Sequence, residues 1–341
     1  MAGKKINGRA LIWPAAAVSA LVIIASVIYI FAVAGTDAGT GTGDYTLKAS
    51  VTNDCTGTPW FVGQEKGFFR DAGLNFVDVG QTVTEQRGTA LALGQIDVLD
   101  VDPLTLVNMV KSGVKVRAVA QSGDSSNDGD TDKEFMQWLV VNDSSLQSFA
   151  SIGASNRTIR IGIGALGTAP ELQTEALLDK YGVPREKAEF VVLPEQNQYQ
   201  ALRQGLIDVA VLHAAFYACA HAQGGVRILA TSTDAFGPAG GMTLLIATER
   251  FIEEHPETMS KFITGYKNAE TWCNANRAEA GAITARHLGI CTGVSHYYSG
   301  TGTINVSQLQ YWIDTMTDCG ILSPGELKPS DLYTDQFKDV W

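Results

Sequence analysis

The chain has 341 residues, 45% of them hydrophobic, and a formal net charge of −11. Three of its 25 basic residues (Lys4, Lys5, Arg9) stand at the very start, leaving 22 against 36 acidic residues, a net −14 beyond Arg9. That sign excludes nucleic acid as a partner, because phosphate contacts need cations, and the length and apolar content suffice for two ordinary domains.

Residues 10–36 carry no charge at all. An apolar run of that length crosses the roughly 30 Å hydrocarbon core as a helix. Cations before it and an acid-rich chain after it put residues 1–9 in the cytoplasm and the bulk outside. We read 10–34 as a retained single-pass anchor. The alternative is a secretory signal cleaved after Ala32-Val33-Ala34. Residues 35–43 (GTDAGTGTG) read as a flexible tether.

A strand is expected over 45–51, then a loop, then a helix opened by Pro59, running to about residue 70 and closed by Gly73. Strand 74–79 and helix 84–93 follow. Here the chain begins a stretch that it writes twice, GTALALGQIDVLDVDPLTLVNMVKSGVKVRAVAQSG from Gly88 and QYQALRQGLIDVAVLHAAFYACAHAQGGVRILATST from Gln198. In both, an Ala-Leu pair leads to a glycine (Gly94, Gly205) and then to Ile-Asp-Val, and a helix-length segment leads to a basic-apolar strand. The offset is 111 residues at the glycines and, pairing strand 114–120 with 226–231, 112 at the end, which one inserted residue in the crossover would explain.

Each copy reads as helix, glycine stop, buried strand, crossover helix, strand. Strands joined by such crossovers should run parallel, and two copies this far apart imply two similar α/β lobes. Ligands of these sheets sit beyond the carboxyl ends of the strands, so facing lobes would make a cleft. Asp97 and Asp208 directly follow the isoleucines and read as structural.

Residues 123–133 are polar and acidic, a surface loop near the crossing to the second lobe. Strands 137–141 and 158–163 come next, then a Gly-rich turn into a helix over 171–181, strand 190–193, and the second copy. The Gly/Pro-rich 235–241 reads as the return crossing, followed by strand 240–251. From residue 255 the chain should be mainly helical and pack back on the first lobe. The expected division is 44–121 with 240–341 as lobe 1, and 122–239 as lobe 2.

Several phrases resemble the solute-binding proteins of ABC importers for nitrate, sulfonate and taurine, together with the thiamine-precursor binders. They are Pro59-Trp-Phe-Val-Gly-Gln-Glu-Lys-Gly67-Phe-Phe, Ala90-Leu-Ala-Leu-Gly-Gln-Ile-Asp-Val98 and its echo at 201–209, the turn 162–168, and Ser330-Asp-Leu-Tyr-Thr334. The resemblance covers most of 45–341. It implies a hinged, two-lobed fold of the periplasmic-binding-protein type II class, preceded here by the N-terminal transmembrane helix. It also implies delivery of a small molecule to a permease and its ATPase by a monomeric, cofactor-free carrier of the sulfonate, taurine or nitrate class.

Within that frame the expected ligand residues start at Gly167 and Thr168, where a helix N-terminus offers free N–H groups and a hydroxyl to an anion. Thr168 could instead merely cap its helix. The loop after the first strand contributes Asp54, Thr56, Thr58 and Trp60, the indole as a stacking plane or, alternatively, as core. Asp102 follows the first copy's strand, His213 and Phe216 the second's, and Gln121 ends the closing strand of the first copy.

Family members commonly carry small or hydroxyl residues where Asp100 and Asp102 stand. These acids disfavour a bare anion in a closed cleft and suit an amine, as in taurine or an amino-heterocycle. One of them could be a helix cap before Pro103.

His213, Cys219 and His221 lack zinc spacing, so no metal is expected. Five cysteines leave one or more unpaired, with Cys291–Cys319 the pairing we favour. No nucleophile elbow, HExxH or P-loop is present. The string Gly162 to Gly167 matches GxGxxG, but its second strand ends in Pro194-Glu195 with no ribose-binding acid. The pyrimidine synthase branch of the superfamily carries a cysteine-rich motif that this chain lacks. A sensory ectodomain would need a partner, since nine residues precede the anchor. We expect a binding protein and not an enzyme.

Overall fold

The computed structural model describes residues 45–80 and 86–340. The expected anchor, the tether and the start of the expected helix 84–93 lie outside the described residues. Among the described residues no helix is long and apolar enough to cross a membrane.

The chain opens with β1 (Thr46–Ala49), α1 (Thr58–Glu65), α2 (Phe68–Asp71), β2 (Asn75–Asp78), α3 (Arg87–Ala92), β3 (Val98–Val101), α4 (Pro103–Lys111) and β4 (Val116–Gln121). The single helix expected up to residue 70 is two, because Gly67 turns left-handed at φ 81° and restarts the chain as α2. Next come β5 (Met136–Val141), α5 (Ala150–Gly153), β6 (Ile159–Ile163), α6 (Ala169–Lys180), β7 (Ala188–Val192), α7 (Glu195–Arg203), β8 (Val209–His213), α8 (Ala214–Gln223), β9 (Val226–Thr231) and α9 (Ser232–Phe236). The chain ends with β10 (Leu244–Thr248), α10 (Glu249–Glu254), α11 (Pro256–Ala275), α12 (Arg277–Leu288) and α13 (Val306–Asp318). The strand expected over 240–251 is shorter than its apolar run, because Thr248 accepts from the Phe251 N–H at 3.1 Å and caps α10.

Two five-stranded sheets result, ordered β2-β1-β3-β10-β4 and β7-β6-β8-β5-β9. The order is the same in both. β1, β2 and β3 pair in parallel, as do β6, β7 and β8. The two strands of each repeat copy point the same way but are not neighbours. β10 lies antiparallel between β3 and β4, and β5 antiparallel between β8 and β9. Each lobe thus receives one strand on the far side of a crossing. Both inserted strands carry the same irregularity, between Leu245 and Ile246 and between Trp138 and Leu139. Register sets Arg117 against Ala247 and Arg227 against Val140, so the closing strands correspond at an offset of 110. The crossover of the second copy is one residue shorter, where strand pairing by sequence made it one longer.

The repeated aspartate is a clasp. The Asp97 carboxylate accepts from the Lys48 N–H at 2.8 Å, and Lys48 Nζ donates to the Gly94 carbonyl at 2.7 Å. In the second lobe Asp208 accepts from the Arg160 N–H at 2.9 Å, and Arg160 Nη2 donates to the Gly205 carbonyl at 2.7 Å. Each clasp fixes one strand, β1 or β6, to the glycine stop before its parallel neighbour, β3 or β8, at the end opposite the cleft.

Two antiparallel segments join the lobes. The Ser122 N–H donates to the Thr243 carbonyl at 2.9 Å, and the Gly241 N–H to Ser125 Oγ at 3.0 Å. A Cβ on Gly241 would lie 2.3 Å from the Asp124 carbonyl oxygen, so the close approach requires glycine there. Beyond them α11 and α12 pack on α1 around Val62, Phe262, Tyr266 and Ile283, all buried with the first sheet. The disulfide joins Cys219 to Cys291, with Cα atoms 5.8 Å apart. The expected Cys291–Cys319 pairing is therefore corrected: α8 brings Cys219 against the segment after α12, while Cys319 lies beside Arg185, which donates to its sulfur at 3.7 Å.

Candidate functional site

A cavity of about 280 Å³ lies between the lobes, where the carboxyl ends of β1 and β3 face those of β6, β7 and β8. That is at the low end for small-molecule sites and suits a solute of few heavy atoms. Six of the ten residues expected from the sequence line it: Asp54, Thr56, Asp102, Thr168, His213 and Phe216.

The first lobe presents carboxylates held by local turns. Asp54 accepts from the Thr56 N–H at 2.7 Å and its hydroxyl at 2.6 Å, capping the 3-10 turn Cys55–Gly57. Asp102 is the N-cap of α4 and accepts from the Thr105 N–H at 2.9 Å and hydroxyl at 2.8 Å. Burial raises its pKa, opposed by the Thr105 bonds and by the backbone N–H of Ala169 across the cleft. Asp100, in β3, is deeper. Its Oδ2 accepts from the Tyr266 hydroxyl at 2.9 Å, and burial pushes its pKa up to about 7.

The second lobe answers with an imidazole. His213 is the N-cap of α8, and Glu195, first residue of α7, grips it twice. Glu195 Oε2 accepts from the His213 N–H at 2.7 Å, and Oε1 lies 2.6 Å from Nδ1. Burial alone would depress this histidine, but the Glu195 carboxylate outweighs it and the pKa is pushed up to about 9. Phe135, edge-on to His213 at 4.7 Å between ring centroids, and Phe216 form the apolar walls. Thr168 does not cap α6 with its side chain, whose hydroxyl donates to the Ala165 carbonyl at 3.0 Å.

Four expected residues lie outside the lining of this cavity. Trp60 is 1% exposed and packs among Phe69, Phe76, Phe262 and Tyr266, because α1 turns that face toward α11. Thr58 shares a buried bond of 2.6 Å with Thr284 of α12. Gln121 braces the crossing: Nε2 donates to the Gly123 carbonyl at 3.1 Å and to Gln308 at 3.0 Å, and Oε1 accepts from the Asn305 N–H at 2.8 Å. Gly167 faces a neighbouring pocket, where its carbonyl accepts from Asn108 at 3.1 Å and its N–H donates to Glu171 at 2.5 Å.

The site also contains residues that the sequence reading passed over, notably Glu195, Thr105, Phe135 and Arg87. Glu195 had a signal: an acid just past Pro194, at the end of a strand and the start of a helix. Phe135 had none, since its place depends on where β5 inserts. Among the described residues no group of His, Cys, Asp and Glu could hold a metal ion.

Solved structures share this fold. A ligand-binding component of an ABC-type import system from Staphylococcus aureus, with zinc bound, superposes with a TM-score of 0.70 at 14% identity, over 87% of this chain and 99% of that one. The aliphatic sulphonate binding protein SsuA of Escherichia coli matches at 0.65 and 14% identity, over 86% and 92%. The nitrate-binding protein NrtA of Synechocystis PCC 6803 matches at 0.67 and 13%, over 87% and 85%. The fold is not confined to binding proteins, since the desulfurization enzyme DSZB matches at 0.62 and 13%, over 87% and 99%. No curated protein matches the sequence. The family model described as NMT1/THI5 like matches residues 55–280, a span that takes in every strand but β1 and every lining residue of the cleft but Thr52, Asn53 and Asp54. The chain belongs to the NMT1/THI5-like family.

Proposed function

We propose that this chain is the extracytoplasmic solute receptor of an ABC importer, closing its two lobes on a small sulfonate- or taurine-like molecule and handing it to the permease. The observation that carries the reading is the cavity itself, set at the carboxyl ends of two sheets of identical order joined by two crossing segments. Lobes hinged this way have distinct open and closed states, and a ligand that contacts both favours the closed one by its differential affinity. The closed state is what a permease can recognise.

Binding is the better reading than catalysis because the hydroxyls at the cavity are already committed. Thr56 donates to Asp54, Thr105 to Asp102 and Thr168 to Ala165. The Cys55 thiol is buried and pushed up by that burial and by Asp54, away from the thiolate a nucleophile needs. A membrane tether at residues 10–34 belongs to the proposal and rests on the uncharged run between Arg9 and Asp37. A second reading, a flat heterocycle of the thiamine-precursor kind, is favoured by the two phenyl rings in the walls, Phe135 and Phe216.

The test is thermal unfolding with taurine, alkanesulfonates, nitrate and thiamine precursors. A binder at a hundred times its Kd adds about 2.7 kcal/mol. Stabilisation by taurine or an alkanesulfonate supports the first reading, stabilisation by a pyrimidine precursor alone the second, and a silent panel contradicts both.

A further inference from the structure

Building on the reading of this cleft as a solute site, we infer that the solute it takes carries a cationic nitrogen and no net negative charge, with the nitrogen held by the first-lobe aspartates. Glu195 is spent on His213 at two points, 2.7 and 2.6 Å, so that pair is closed and near neutral. The other acids in the lining are Asp54, Asp102 and Asp100, the last only partly ionised near neutral pH, and the other base is Arg87. Three acids to one base, in a cavity of about 280 Å³, is a poor host for a further negative charge.

A separate observation points to a donor supplied from outside. Asp100 is 4% exposed and lines the cavity. Its Oδ2 is satisfied by Tyr266, and the Ser122 and Thr243 hydroxyls lie near enough to favour the charged form, but Oδ1 is buried with no partner in hydrogen-bond geometry among the described residues. Buried carboxylate oxygens are almost always bonded, and an ammonium brings both the missing N–H donors and the missing charge.

The place where an anion would otherwise settle is occupied. At the start of α6 the Gly167 N–H goes to Glu171 at 2.5 Å, and the Ala169 N–H faces the Asp102 carboxylate. A free sulfonate entering there would displace Asp102 and then lie beside it. A zwitterion escapes this penalty, because its ammonium can pair with Asp102 and Asp100 and offsets the charge of its own anionic end.

The experiment measures affinity of the full chain for two matched pairs of small solutes: taurine with isethionate, and ethanolamine with ethylene glycol. Each pair differs by an ammonium replaced by a hydroxyl. The expected result is that each amine binds at least about tenfold more tightly than its hydroxyl partner, the scale of one charged hydrogen bond. Asp102→Asn keeps a good N-cap and Asp100→Asn keeps the shape. Each should cost the amines about tenfold and leave isethionate equal or tighter.

Isethionate binding as tightly as taurine, or an amine preference unmoved in both variants, would overturn the inference while leaving a solute site in place. Binding by none of the four would contradict the underlying reading of the cleft. Unfolding curves of the variants separate lost affinity from lost structure.

Discussion

Asp102 and His213 occupy the same position in the two copies of the repeat, 111 residues apart, each the N-cap of the helix that follows the third strand of its sheet. Both line the cavity, and the Asp102 charge is among those that hold His213 protonated. Duplication thus gave two equivalent frames, and divergence set an acid in one opposite a cation in the other.

The first prediction follows from the histidine. Its folded pKa, about 9, lies above the ordinary 6.5. Stability from this group is therefore fully present below pH 6.5 and lost as pH rises through 9. The span corresponds to roughly 3 kcal/mol. Denaturant unfolding of the wild type between pH 6 and 10 should show that decline. Glu195→Gln should flatten it, and an equally steep decline in the variant would refute the assignment.

The twin clasps should respond to acid in opposite directions. Burial alone would raise Asp208, but the Arg157 and Arg160 guanidiniums outweigh it and hold its pKa well below the usual range. Its contribution is present above about pH 4 and is lost as pH falls. Burial dominates at Asp97, whose pKa is raised despite Lys48 and Tyr45. Its effect is greatest at low pH and is lost as pH climbs past its ordinary 3.8. Asp208→Asn should therefore weaken the protein more at pH 7 than at pH 3, and Asp97→Asn the reverse. Matching profiles for the two variants would contradict this account.

The Cys219–Cys291 bridge ties α8 of the second lobe to the segment after α12, which packs on the first. It closes a separation of 72 residues, worth about 4 kcal/mol by the chain-entropy estimate. The double variant Cys219→Ser, Cys291→Ser should lose stability on that scale and show a larger radius of gyration in solution, as a restraint on lobe opening is removed. Unchanged dimensions would mean that the bridge does not limit opening.

Trp60 separates core from site. Trp60→Ala should cost about 3–5 kcal/mol by emptying its place in the aromatic cluster, while Trp60→Phe should leave solute affinity within about twofold. A large affinity loss in a well-folded Trp60→Phe would restore the indole to the site.

Much of this architecture was legible in the chain. The doubled Gly-Ile-Asp-Val phrase marks two α/β units because the clasp needs that glycine carbonyl and that aspartate at fixed spacing. The lobes of β5 and β10 were legible, but their antiparallel insertion between the two strands of each repeat copy was hidden, since apolar runs do not say which strands they pair with. The same limit hid Phe135 and misplaced Thr58 and Trp60. A loop known to face a cleft does not reveal which of its side chains turn back into the core. Glu195 was overlooked because its role depends on His213, 18 residues on. Cys291 was matched to the wrong partner because pairing follows helix packing and not order along the chain.

The central claim, capture of one solute by both lobes, is tested most directly by hydrogen exchange of the full chain with and without saturating taurine. The account predicts slowed exchange together in the turn after β1, at the start of α4, and at the starts of α6 and α8. Slowing confined to one lobe, or absent under conditions where taurine is bound, would contradict it.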